Sequence, residues 1–172
     1  MNKLLNLFYQ LPLWLIFCCA VVLSHFFRKV WLRDGSRPWF RTACVLALLF
    51  WCYLLARLTL LYRPLGYENR CFLMPLHFLL EMYQTGNTEL PRTMFMNAVL
   101  FFPAGLLLAA LADRSRPWTR TAGRICLLLL AVSLAVECCQ RTLQIGRFET
   151  DDILFNGLGA YLGTRVLRPE QH

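Results

Sequence analysis

Apolar residues in this chain come in long unbroken blocks, not at the periods of a soluble helix or strand. Leu4–Phe27 is almost free of charge, and Phe40–Tyr62, Met94–Ala112 and Ile125–Cys139 are similar. A helix rises about 1.5 Å per residue, so about 20 apolar residues cross the hydrocarbon core of a bilayer. Lipid offers backbone groups no partners, and a helix satisfies its own. The blocks predict helices over Leu4–Phe27, Trp39–Tyr62, Arg92–Ala112 and Ala122–Leu143. A fifth, Asp152–Leu167, has roughly 16 residues and is short for a full crossing. The breaks between them hold turn residues: Asp34-Gly35-Ser36 with Pro38, Pro64-Leu65-Gly66, Pro91 and Pro117. The expected fold class is all-α, a polytopic membrane helix bundle of about five transmembrane helices. It is expected to form one membrane domain over residues 1–172.

Between the second and third predicted helices lies Cys71–Tyr83, which is apolar, short and interrupted by Pro75. Phe72, Leu76, Leu79 and Leu80 fit one helical face, and His77 and Glu81 are spaced i,i+4 on another. The segment is too short to span and predicts an interfacial or re-entrant piece. A crossing there would invert every later helix and violate the charge pattern described next.

The formal net charge is +8, and its placement decides its meaning. Arg28, Lys29, Arg33, Arg37 and Arg41 lie between the first two blocks, and Arg114, Arg116, Arg120 and Arg124 between the third and fourth. Short loops rich in Lys and Arg mark the cytoplasmic side of a membrane, so the charge speaks for topology and against nucleic acid. The expected orientation in the cytoplasmic membrane is N-terminus outside and C-terminus inside. The first block is long for the apolar core of a signal peptide and reads as a retained helix. The eight cysteines include no CxxC pair, and most lie within apolar blocks, where they read as small buried hydrophobes.

That orientation gathers polar residues at one end of the bundle, the external one. Glu137, Gln140, Arg141 and Gln144 are spaced i, i+3, i+4, i+7 and are expected on one face of the fourth helix. Asp151, Asp152 and Asn156 open the fifth helix, Asn97 lies near the start of the third, and Arg147 sits in the connection. Arg57 lies in the same half of the second helix. An ionisable group at the centre of a bilayer costs about 2.5–3.5 kcal/mol on insertion scales, so Glu137 is expected to face the bundle interior with a partner. Arg141, one turn on, is its nearest in sequence. Asp151 and Asp152 also fit a helix N-terminus, favoured by its dipole. Three carboxylates at one surface suit a divalent cation or acid–base chemistry, and the residues alone choose neither. No motif calls for a cofactor or a metal: HExxH, GxSxG and SxxK are absent, and His25, His77 and His172 are isolated. Gly159 and Gly163 form a GxxxG, and Gly105 follows Pro103, which predicts close helix packing and a kink.

Two stretches resemble the VanZ-like family. Asn97-Ala98-Val99-Leu100-Phe101-Phe102-Pro103-Ala104-Gly105 is similar to the family's N-x-x-L-F-x-P-x-G. Glu137-Cys138-Cys139-Gln140, then Gly146-Arg147, then Asp151-Asp152 through Asn156, Gly159-Ala160 and Gly163 resemble its E-x-x-Q, G-R and D-D-x-x-x-N-x-x-G-A-x-x-G. Phe72-Leu73-Met74-Pro75-Leu76 keeps the proline of the family's N-L-x-P-F element without its polar residue. The resemblance covers roughly Pro64–Arg168. It implies an envelope protein of the kind that lowers sensitivity to the lipoglycopeptide teicoplanin. Three functions follow as expectations. The first is binding or moving an envelope lipid or a lipoglycopeptide without catalysis. The second is an enzyme acting on a polyprenyl or lipid phosphate, with Glu137, Asp151 and Asp152 as acid–base or metal groups. The third is a scaffold that meets a partner through the GxxxG.

Overall fold

The computed structural model describes residues 13–61, 66, 70–87, 89–113 and 117–168. The described helices are α1 (Leu13–Asp34), α2 (Pro38–Ala56), α3 (His77–Thr85), α4 (Leu90–Leu111), α5 (Trp118–Thr142) and α6 (Thr150–Arg165). Four of them are long and apolar enough to cross a membrane: α1, α2 with its continuation to Leu61, α4 and α5. The chain is therefore a multi-pass helical membrane protein. The predicted fifth span is the 16-residue α6, about 24 Å long, which falls short of the apolar core.

The first helix does not stop at Phe27. It continues to Asp34, so Arg28, Lys29 and Arg33 stand on its last turns rather than in a loop. Long basic side chains reach water from there while their stems stay apolar. The same turns bury Trp31 and bring Phe27 to 5.6 Å from Phe40 of α2, centroid to centroid. The part of that prediction over residues 4–12 lies outside the described residues. The turn into α2 is closed by Gly35 N–H to the Trp31 carbonyl, and Pro38 starts the next helix. Asp34 is 2% exposed and pairs with both Arg33 (2.7 Å) and Arg37 (3.0 Å). Arg41 donates to the Leu111 carbonyl at 3.2 Å and so closes the free end of α4.

Helix α2 ends in a π-helical turn, Arg57–Leu61. A π turn pairs a carbonyl with the amide five residues on, and for Thr59 that residue is Pro64, which has no N–H. The Thr59 carbonyl is taken instead by the side chain of Gln140, at 3.1 Å. On the face towards α4, the indole of Trp51 donates to the Leu100 carbonyl at 2.7 Å and meets Phe101 edge-on.

Helix α6 packs chiefly on α4, and glycines set how closely. A Cβ on Gly159 would strike the Ala98 carbonyl, one on Gly163 the Phe102 carbonyl, and one on Gly105 the Ala160 carbonyl. Ala104 and Ala160 are fully buried in the same seam. Helix α4 runs unbroken through Pro103. The GxxxG is thus spent within the chain, and neither Gly159 nor Gly163 is left on the outer surface for a partner.

The short strands β1 (Cys71–Phe72) and β2 (Phe148–Glu149) pair in parallel, Cys71 with Phe148 and Phe72 with Glu149. This pair ties the segment Cys71–Thr85 to the α5–α6 connection. The expected interfacial piece is therefore a strand, a turn and a nine-residue helix, laid across one end of the bundle as a strap.

Replacing Gly159 by Ala should lower stability by about 1–3 kcal/mol, because a backbone carbonyl cannot yield as a side chain can. Gly123→Ala, where nothing lies within 4 Å, should instead raise it by about 0.5–1 kcal/mol. Unfolding midpoints of the purified variants in detergent separate the two. An unchanged midpoint for Gly159→Ala would mean that the seam is looser than its geometry.

Candidate functional site

Helix α5 turns one row of residues inward: Thr121, Ile125, Leu129, Ser133, Glu137 and Gln140. The steps of four and three keep them on one face. The row changes from apolar to polar as it nears the end where the strap lies. There Glu137 is 2% exposed and Gln140 1%, and from α6 Asp151 is 3% and Asn156 6%. Arg141 and Gln144, expected on the Glu137 face, are exposed. The helix ends at Thr142, and Gln144 follows in a left-handed turn (φ 54°), which takes it off the row.

Each buried group has an identifiable use. The carboxylate of Glu137 accepts the Glu149 backbone N–H at 3.1 Å and so holds the start of α6. The Asn156 amide donates to Ser133 at 2.8 Å, joining α6 to α5. Gln140 joins α5 to the π turn, as described. The side-chain oxygens of Gln140 and Asn156 are buried and accept no hydrogen bond. Asn97 of α4 donates to Asp152 at 2.6 Å.

Asp151 does not cap its own helix. Its two oxygens accept the backbone N–H groups of Leu76 and Phe78, the latter at 2.9 Å. It therefore supplies, from 73 residues away along the chain, the N-terminal cap that α3 lacks locally. Leu76 sits at φ 60°, a left-handed conformation that costs a residue with a side chain about 1–3 kcal/mol. Two charge-assisted hydrogen bonds offset a penalty of that size. Phe78 is buried and meets Phe155 edge-on at 5.7 Å, which adds an apolar anchor beside the carboxylate.

Arg147 faces the strap. Its guanidinium lies 3.5 Å from Glu81 and 5.7 Å from the ring of Phe72, and Phe72 stacks on His77 at 4.4 Å. This group is partly exposed, and its ion pair contributes at most about 1 kcal/mol.

Seven of the polar residues that the sequence gathers share one end of the bundle but do not line one cavity. Glu137, Gln140 and Asn156 lie in the interior row, Asp151 under the strap, Asn97 with Asp152 between α4 and α6, and Arg147 at the strap's rim. Among the described residues no three His, Cys, Asp or Glu side chains gather closely enough to hold a metal ion. Ser133, Thr59 and Glu81 complete these contacts, and of the three only Glu81, paired with His77, stood out in the sequence. Ser133 had a signal, standing four residues before Glu137 on its face. Thr59 had none, because its role depends on α5.

A model of the VanZ/LLP1 family matches residues 14–168. The chain belongs to that family. The match extends well before Pro64, so α1, α2 and the basic turn between them are part of the VanZ/LLP1 unit rather than additions to it. No curated protein and no solved structure matches the chain. The residues that hold the strap therefore fall within the VanZ-type region as a whole.

Asp151→Ala should release the strap and leave the Leu76 and Phe78 amides unpaired, the latter buried, at about 1–3 kcal/mol. Hydrogen exchange at Leu76 and Phe78 should quicken by at least about tenfold while the amides of α5 keep their protection. Unchanged exchange at those two amides would show that Asp151 does not hold the strap.

Proposed function

We propose that this VanZ-type protein is a non-enzymatic component of the cytoplasmic membrane that binds or helps move an envelope amphiphile at its outer face, lowering sensitivity to teicoplanin. The reading rests on one observation. The strap that Asp151 holds presents apolar side chains beside a charged pair. Leu73, Met74, Leu76, Leu79, Leu80 and Tyr83 are exposed, and Arg147 and Glu81 lie at the same end. A surface of that kind suits a molecule with both a polar head and an apolar tail. Glu137 and Asp151 support binding over catalysis, since their oxygens accept backbone amides that position the strap. The orientation is the one expected from charge, with the N-terminus outside and the C-terminus inside. Lys29, Arg33, Arg37 and Arg41 at the α1–α2 turn, and Arg120 and Arg124 at the start of α5, stand at the end opposite the strap.

Cells producing the protein should tolerate more teicoplanin than cells lacking it, with little change for vancomycin. Arg147→Ala and Glu137→Gln, at equal abundance in the membrane, should remove most of the gain. Inhibitory concentrations of the two drugs measure both. Protection that persists in both variants would overturn the assignment to this end of the bundle, and no protection at all would overturn the resistance reading.

A further inference from the structure

Two buried acceptors in the interior row of α5 and α6 are met by no donor. The side-chain oxygens of Gln140 and Asn156 are shut off from solvent, and among the described residues none donates to either. Both residues are more than nine-tenths buried, at 1% and 6% exposure. Few buried polar atoms in a folded protein go unpartnered, and those that do point to a water or an ion. The orientation of Gln140 is fixed by its nitrogen, which donates to the Thr59 carbonyl at 3.1 Å. Turning the amide over would set oxygen against oxygen. Its side-chain oxygen is thus committed to a donor or a cation from outside the chain.

The two amides stand on either side of Glu137 along the row. Gln140 lies three residues beyond it on α5, about 4.5 Å along the axis. Asn156 is tied at 2.8 Å to Ser133, four residues before Glu137 and about 6 Å the other way. Helical side chains lean towards the N-terminus, which carries the Gln140 amide back towards the level of Glu137. Glu137 is itself 2% exposed, and its carboxylate accepts the Glu149 amide. A carboxylate has about four acceptor positions, so a cation beside it need not displace that bond. Carboxamide and carboxylate oxygens are the ligands that hard cations prefer. One carboxylate among neutral oxygens suits a single charge better than a double one. The π turn that ends α2 adjoins the same row through Gln140, and irregular helix of this kind is where membrane proteins hold such ions.

We propose that the interior row binds one monovalent alkali cation, sodium or potassium, through Gln140 Oε1 and Asn156 Oδ1 beside the Glu137 carboxylate. A cation serves all three acceptors at once, whereas a water molecule has only two hydrogens to give. The ion ties α5 to α6 and, through Gln140, to the end of α2. Neither the exposed face of the strap nor Arg147 takes part, so ion binding stands whether or not teicoplanin protection does.

The test uses the purified full chain in detergent with sodium, potassium or choline as the only added cation, at equal chloride. Choline is too large for a buried site of this kind. Radioactive sodium, or rubidium in place of potassium, should bind the wild-type protein saturably, and the preferred ion should compete with the other while choline does not. An ion that binds only the folded state stabilises it, so the unfolding midpoint should stand about 3 °C or more above its value in choline. Gln140→Met and Asn156→Leu roughly keep the side-chain volume and remove the oxygens. Each should lose most of the midpoint difference between salts, whatever its own midpoint in choline. That difference, and not the basal midpoint, separates an ion site from a merely structural amide. No saturable binding of either ion to the wild-type protein, or a midpoint equal in all three salts, would overturn the proposal and leave water as the donor. A salt difference that persists undiminished in both variants would place the ion elsewhere and overturn this site.

Discussion

The contact on which the rest of this protein depends is the backbone seam between α4 and α6. Carbonyls of Ala98 and Phe102 occupy the space where side chains on residues 159 and 163 would be. Lipid tails are as apolar as leucine, so apolar burial drives helix association weakly inside a membrane, and close van der Waals approach takes over. Helix α6 needs that approach more than its neighbours do. It is short, and its first turn carries two carboxylates. Held against α4 and flanked by α5, it delivers Asp151, Asp152 and Asn156 to the positions where Leu76, Phe78, Asn97 and Ser133 can use them.

The polar residues are best understood as joints. A buried carboxylate in a membrane protein is costly, and the cost is offset when its oxygens accept backbone N–H groups that would otherwise be orphaned. Glu137 does this for the entry into α6, and Asp151 does it for α3. Gln140 does the converse, donating to the Thr59 carbonyl in the π turn that ends α2. In each case a side chain on one helix completes the hydrogen bonding of a segment that is not a regular long helix. That is the condition under which irregular backbone is tolerated at the edge of a membrane.

These joints give the two ends of the bundle different character. One end is a basic rim, where Asp34 is clamped by Arg33 and Arg37 and Arg41 closes α4. The other is a platform: a strap with an exposed apolar side, a half-exposed Arg147–Glu81 pair and an open cleft beside Arg141. At this platform Glu137 and Asp151 lie inside and hold backbone, while Glu81, Arg147 and Arg141 lie nearer the surface.

Much of this was legible in the chain itself. Long apolar blocks dictate helices because a single segment satisfies its own backbone groups in lipid only as a helix. The Gly159–Gly163 spacing pointed to a tight crossing, and the clustering of Glu137, Asp151, Asp152 and Asn156 at one end followed from helix direction alone. What local sequence did not hold was partnership. Nothing near Leu76 says that its cap stands on Asp151, and nothing near Asp151 says that it serves another helix rather than its own. The face shared by Glu137 and Arg141 was divided only when neighbouring helices buried one residue and left the other outside. The end of α1 moved past Phe27 because its basic side chains reach water from a helix that Trp31 anchors. Periodicity and charge are properties of a segment and can be read from it. Which acceptor meets which amide is settled by packing between segments far apart in the chain.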